Sequence, residues 1–347
     1  MSQARGYYRI IVLYFSFWTL FCFGYFMAPC DTRYFSGAND VQLAATLYGS
    51  PTDRALLLLH GAGQTRHSWR NAGNTLAQAG WYSICLDTRG HGDSDWPDDG
   101  DYSIDTLIAD VRAVVDRLTL ESGRRPVLVG ASLGGITALL AQGESLEILF
   151  ESLVLVDITP RIDQTGVERI IGFMNRHQQG FASLEEAVDA VALYQSHRKK
   201  RKNKHDSGVD TNGADTRAGR GTDSDHSTGH GLKKNLRLAE DGRYYWHWDP
   251  RLMDHIKDFN KTNERIIERQ QNAASRLTLP VLLVRGARSE IVSRESVEEF
   301  LQLVPHAKFV DVADAAHMVA GDNNDLFIQS VQDFLLQTIG TTDNWPG

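Results

Sequence analysis

Gly130-Ala131-Ser132-Leu133-Gly134 follows the apolar run Pro126-Val127-Leu128-Val129 and opens the helix-like run Ile136-Thr137-Ala138-Leu139-Leu140-Ala141. A G-x-S-x-G pentapeptide between a strand and a helix has mechanical meaning. The sharp turn strains the serine backbone, and the flanking glycines allow the helix to pack close to the strand. The hydroxyl then stands at the carboxyl end of a sheet, beside the unpaired N–H groups that begin the helix. Ser132 is therefore the candidate nucleophile.

A second motif lies upstream. Ala55-Leu56-Leu57-Leu58-Leu59 reads as a short buried strand and ends in His60-Gly61-Ala62-Gly63. A glycine-rich turn at a strand end can offer backbone N–H groups to a developing oxyanion. With the N–H that follows the nucleophile as second donor, the expected oxyanion hole is Ala62 and Leu133. His60, at a strand end, reads as a structural hydrogen-bonder. A third block is Asp87-Thr88-Arg89-Gly90-His91-Gly92-Asp93-Ser94.

H-G-x-G, D-x-R-G-x-G-x-S and G-x-S-x-G, in this order and spacing, resemble the α/β-hydrolase superfamily over roughly residues 34–340. The resemblance implies a serine-nucleophile branch with a helical cap, and structural roles for Asp87 and Arg89. It places the general base just past the last strand. That strand is Lys308–Val312, and His317 follows in the loop Ala313-Asp314-Ala315-Ala316-His317. The acid is expected after the strand Val281–Val284. Aligned on Ile291-Val292, the usual aspartate falls on Ser289, and Glu290 comes one residue later. Asp157, at the end of Leu153–Val156, is the alternative, because some members keep the acid there. Glu290 is the preferred reading, since a carboxylate of either length can hold an imidazole in one tautomer.

These residues imply acyl transfer. His317 takes the Ser132 proton, the acid orients the ring, and water resolves the acyl-enzyme. A serine at 132 argues against the relatives of this fold that attack with aspartate. Acyl transfer to another acceptor, cofactor-free perhydrolysis and a non-catalytic ligand-binding homologue are the alternatives. The expected partner is a small, apolar acyl substrate. The net charge of −8 argues against a nucleic-acid surface, which needs a basic face. The 3 cysteines (Cys22, Cys30 and Cys85) form no C-x-x-C pair, and no histidine spacing suggests a metal. No cofactor is inferred.

Short apolar strands at 41–48, 55–60, 81–87, 126–131, 152–157, 281–285 and 308–312 alternate with amphipathic helices such as 105–120. That rhythm predicts an α/β fold with a mostly parallel sheet and helices on both faces; where it breaks after strand 6, the resemblance implies an inserted helical cap. The expected division is a tail over 1–33, a hydrolase core over 34–159 and 280–340, and a helical cap over 160–279. Ser183–His197 reads as a cap helix. Residues 198–231 are rich in Lys, Asp, Gly, Thr and Ser and read as a disordered insertion. Its run Arg198–Lys202 reads as a solvated basic stretch rather than a targeting patch. Residues 10–30 carry no charge and are dense in aromatics, long enough at about 20 residues to cross a bilayer as one helix. The expectation is a single-pass membrane anchor with the N-terminus in the cytoplasm. The alternative is a cytoplasmic protein whose true start lies near Asp31.

Overall fold

A computed structural model describes residues 31–205, 232–255, 263–313, 315 and 324–340. The chain runs β1 (Asp31–Ser36), β2 (Gln42–Tyr48), β3 (Arg54–Leu59), α1 (Arg70–Gln78), β4 (Trp81–Leu86), α2 (Ile104–Ser122), β5 (Val127–Ala131), α3 (Leu133–Gly143) and β6 (Leu153–Val156). The inserted segment holds α4 (Gln164–Arg176), α5 (Leu184–His205), β7 (Leu236–Leu238), β8 (Tyr244–Trp246) and α6 (Asn263–Ser275). The core then resumes with β9 (Val281–Gly286), α7 (Arg294–Leu303), β10 (Lys308–Val312) and α8 (Asn324–Ile339).

Eight strands form one sheet in the order β1-β2-β4-β3-β5-β6-β9-β10, with β7 and β8 a separate hairpin. β2 pairs antiparallel with both β1 and β4; all pairs from β4 to β10 are parallel. The central strands are apolar at most positions because both faces of the sheet are covered. Leu57, Leu59, Leu128, Leu155 and Leu283 point to the side packed by α2, α3 and α7. Their neighbours Leu56, Leu58, Val129, Val154 and Leu282 point to the side packed by α1 and α8. This two-residue alternation leaves no strand face for water.

α2 shows how local sequence sets an element. Ser103 caps it by accepting the Thr106 N–H, and Gly123 ends it in the left-handed region at φ +69°. Between them, Leu107, Val111, Val114, Val115 and Leu118 form a buried stripe at helical spacing.

Two local features differ from the sequence expectation. β1 starts at Asp31, inside the stretch read as tail, and pairs with β2 across its whole length. α5 continues to His205, so the insertion expected from residue 198 begins with helix. Lys and Arg are good helix formers, and a helix already nucleated extends readily through them. The remainder of the expected insertion and the expected anchor, residues 10–30, lie outside the described residues. Among the described residues no helix is long and apolar enough to cross a membrane.

Candidate active site

Ser132 sits between β5 and α3 with φ 48° and ψ −118°, a conformation that L-residues rarely adopt. The turn is possible only because its neighbours lack side chains. A Cβ on Gly130 would lie 2.6 Å from the Gly134 carbonyl oxygen, and one on Gly134 would lie 2.7 Å from the Leu59 carbonyl oxygen. The Ser132 N–H donates to the Val156 carbonyl at 3.2 Å, and its own carbonyl accepts the Ile136 N–H at 2.9 Å. Ser132 is thus held between the ends of β5 and β6 at the positive end of α3.

The Gly61–Gly63 loop passes directly over it: a Cβ on Gly61 would be 3.1 Å from that of Ser132. Among the described residues, neither the Ala62 N–H nor the Leu133 N–H has a protein acceptor. Both residues line the same cavity as Ser132. Both N–H groups are thus unspent and lie beside Ser132, as a backbone anion site requires.

Two buried histidines hold this loop. His60 Nε2 accepts the Thr88 N–H at 3.1 Å, so the proton sits on Nδ1, which donates to the Gly61 carbonyl at 2.8 Å. His91 Nε2 accepts the Gly63 N–H at 3.2 Å, and its Nδ1 lies 3.0 Å from the Arg89 carbonyl. Burial lowers the His60 pKa to about 4 and that of His91 to about 3. Both rings are therefore neutral at pH 7, as an accepting Nε2 requires. His60 is the hydrogen-bonder that the sequence suggests.

Asp87 and Arg89 build the frame around these rings. Asp87 is fully buried and pairs with the Arg66 guanidinium. Arg89 makes a bidentate pair with Asp110, at 2.6 and 2.7 Å. Neither side chain lines the cavity.

The two carboxylates considered for the triad sit in different surroundings. Asp157 follows β6 with φ +50° and is fully buried. Its Oδ1 accepts the Gly286 N–H at 3.1 Å, and its Oδ2 accepts the Ser289 hydroxyl at 2.7 Å. Ser289 Oγ in turn accepts the Ile291 and Val292 N–H groups at 3.2 and 3.0 Å. Glu290 faces the cavity instead, with Arg169 of α4 at 3.5 Å.

His317 lies outside the described residues. The loop leading to it is anchored next to Ser289: the Ala287 N–H donates to Val312 at 2.9 Å and the Arg288 N–H to Ala315 at 2.8 Å. The sequence marks Ser289 only as the place where an aspartate is expected. That a hydroxyl there reaches a carboxylate on the neighbouring strand depends on the β6–β9 pairing, which no local pattern shows.

The cavity over Ser132 has a volume of about 470 Å³. Ile136 and Ile158 line it from the core, and Ile170, Phe173, Met174 and Trp246 from the inserted segment. Glu290 is the only Asp, Glu, Lys or Arg among the described residues that line it.

The family model for the alpha/beta hydrolase fold matches residues 54–323. The chain belongs to the α/β-hydrolase fold family and is an esterase-like hydrolase. It is 26% identical over 299 residues to Esterase Rv0045c of Mycobacterium tuberculosis, covering 84% of this chain and 86% of that one. It is 27% identical over 301 residues to the sn-1-specific diacylglycerol lipase ABHD11 of Xenopus tropicalis, covering 85% and 82%. Among solved structures, E-2-(acetamidomethylene)succinate hydrolase superposes with a TM-score of 0.69 at 21% identity, covering 88% of this chain and 99% of the other. That last likeness concerns the fold alone.

Proposed function

We propose that the protein is a serine esterase that cleaves neutral carboxylic esters with an apolar acyl group through an acyl-enzyme. The observation that carries this reading is the strained Ser132 beneath the Gly61–Gly63 loop, on the floor of an apolar cavity. Ser132 attacks the ester carbonyl, and the N–H groups of Ala62 and Leu133 take the charge of the tetrahedral intermediate. His317 serves as general base. In sequence it follows Ala315 by two positions, and the Ala315 carbonyl accepts the Arg288 N–H beside Ser289.

Asp157 is the better-supported acid. It is buried, held by two donors, and its Oδ2 touches Ser289, next to where the His317 loop is anchored. The Glu290 carboxylate is turned to the cavity and an arginine.

The cavity volume is in the range typical of small-molecule sites. With no Lys or Arg among its described lining residues, that lining offers no permanent cation to a carboxylate on the acyl chain. Small ester and lipid substrates, as the names of the related esterase and lipase suggest, fit such a lining. A fluorophosphonate probe should label Ser132. Neutral p-nitrophenyl esters should be hydrolysed about tenfold faster or more than esters of the same length that end in a carboxylate. An unlabelled Ser132 together with no ester turnover would favour a ligand-binding homologue.

Attachment to a membrane through residues 10–30 is a separate proposal, resting on the uncharged apolar run alone. Full-length protein from its native host should stay in the pellet after carbonate extraction. Recovery in the soluble fraction with a start near Asp31 would replace the anchor with a cytoplasmic enzyme.

A further inference from the structure

The oxyanion loop and the inserted segment are fastened to the same short turn. On one side of Gly90–Gly92, His91 Nε2 accepts the Gly63 N–H at 3.2 Å. On the other side the turn pairs antiparallel with the inserted segment. His91 bridges Trp248, the Gly92 N–H donates to His247 at 2.7 Å, and the Asp249 N–H donates to Gly90 at 2.8 Å. A further hydrogen bond supports the joint: Tyr102 Oη donates to Asp249 Oδ2 at 2.6 Å. The inserted segment also rests on the loop itself, since a Cβ on Gly63 would be 2.5 Å from Met174 Cε.

The peptide geometry makes this joint relevant to chemistry. The Ala62 N–H and the Gly61 carbonyl belong to one rigid peptide unit and point in opposite directions. His60 Nδ1 holds that carbonyl, and His91 Nε2 holds the N–H of the next unit. Two consecutive peptide planes are thus fixed by two neutral rings whose centroids are 4.9 Å apart, edge to face.

We propose that His91 is a positioning residue for the oxyanion donor Ala62, and that the Gly90–Gly92 turn couples the seating of the inserted segment to the geometry of the oxyanion hole. The proposal rests on the esterase reading for its catalytic consequence, but the coupling itself is a property of the fold. His91 touches no substrate; it acts through Gly63.

His91→Leu keeps the bulk and removes the acceptor. His91→Gln can return an oxygen near the position of Nε2. With a neutral p-nitrophenyl ester, His91→Leu should lose about 10–100-fold in kcat with KM changed less than about threefold, a fraction of the loss seen when an oxyanion donor is deleted outright. His91→Gln should recover to within about fivefold of the parent. Amide exchange followed by mass spectrometry should rise in His91→Leu at both 61–64 and 247–249, and return to parental levels in His91→Gln.

If His91→Leu does not fold, the parent protein still decides the matter: the Gly63 amide should be protected as strongly as the Gly92 amide. A freely exchanging Gly63, exchange that rises at only one of the two segments, or equal loss of kcat and Tm in both variants would overturn the proposal. Failure of the esterase reading is seen separately, as absence of probe labelling at Ser132 with the exchange pattern intact.

Discussion

Ser132→Ala is expected to lower kcat by about 10⁴–10⁶-fold and to leave the fold intact. The hydroxyl is the only group at this turn that can form the acyl-enzyme. The free N–H groups of Ala62 and Leu133 would leave a weak residual activity, as an oxyanion hole alone does. Stability should hardly change, because alanine keeps the same strained backbone at φ 48°. Ser132→Gly provides the companion measurement. Relief of the strain should stabilise the fold by about 1–3 kcal/mol, visible as a higher Tm in an inactive protein. Retention of more than a tenth of the parental kcat in Ser132→Ala would remove Ser132 from the mechanism.

Replacing the acid should have the second-largest effect. Asp157→Asn is expected to lose about 10²–10⁴-fold in kcat, because an amide in this position favours the wrong imidazole tautomer. Glu290→Gln should stay within about tenfold, since its carboxylate faces the cavity and Arg169. Asp157 is fully buried, so a loss of stability must be separated from a loss of chemistry. Kinetics well below the Tm of each variant do so, as does the pH profile of kcat/KM, in which the limb of the base should shift in Asp157→Asn. The reverse ranking of the two variants would return the acid to Glu290.

Much of this architecture is legible because buried parallel strands leave a strong trace. Leu56–Leu59, Leu153–Val156 and Val281–Val284 are apolar at every position, and each run is covered on both faces. β1 escapes such a reading for the opposite reason. Its sequence, Asp-Thr-Arg-Tyr-Phe-Ser, is polar, and Phe35 is the one deeply buried side chain among those described in this edge strand. β7 and β8 are three residues each, too short to display a period. The Ser132 turn and the Gly61–Gly63 loop can be located from sequence because each is a local turn with its own glycine requirement. The surroundings of Asp157 cannot, because Asp157 and Ser289 are 132 positions apart and meet only once β6 and β9 pair. His91 reads as a spacer in a structural motif for the same reason, as its bond to Gly63 spans 28 positions.

The inserted segment leaves the sheet after β6 and returns to it at β9, and these two strands are direct neighbours, with Leu153 opposite Val281. Because the two strands are parallel, the segment leaves at the carboxyl end of β6 and crosses back to the amino end of β9, a strand length away. A segment tethered between two fixed points of the sheet can lengthen, shrink or be exchanged at little cost, because the entropy of closing a loop grows only slowly with its length. Asp157 sits at the point of departure, held by Gly286 at the carboxyl end of β9 and by Ser289 just beyond it. The same pair of strands thus acts as a graft junction: new substrate walls can be installed above it while the carboxylate at its base keeps its place.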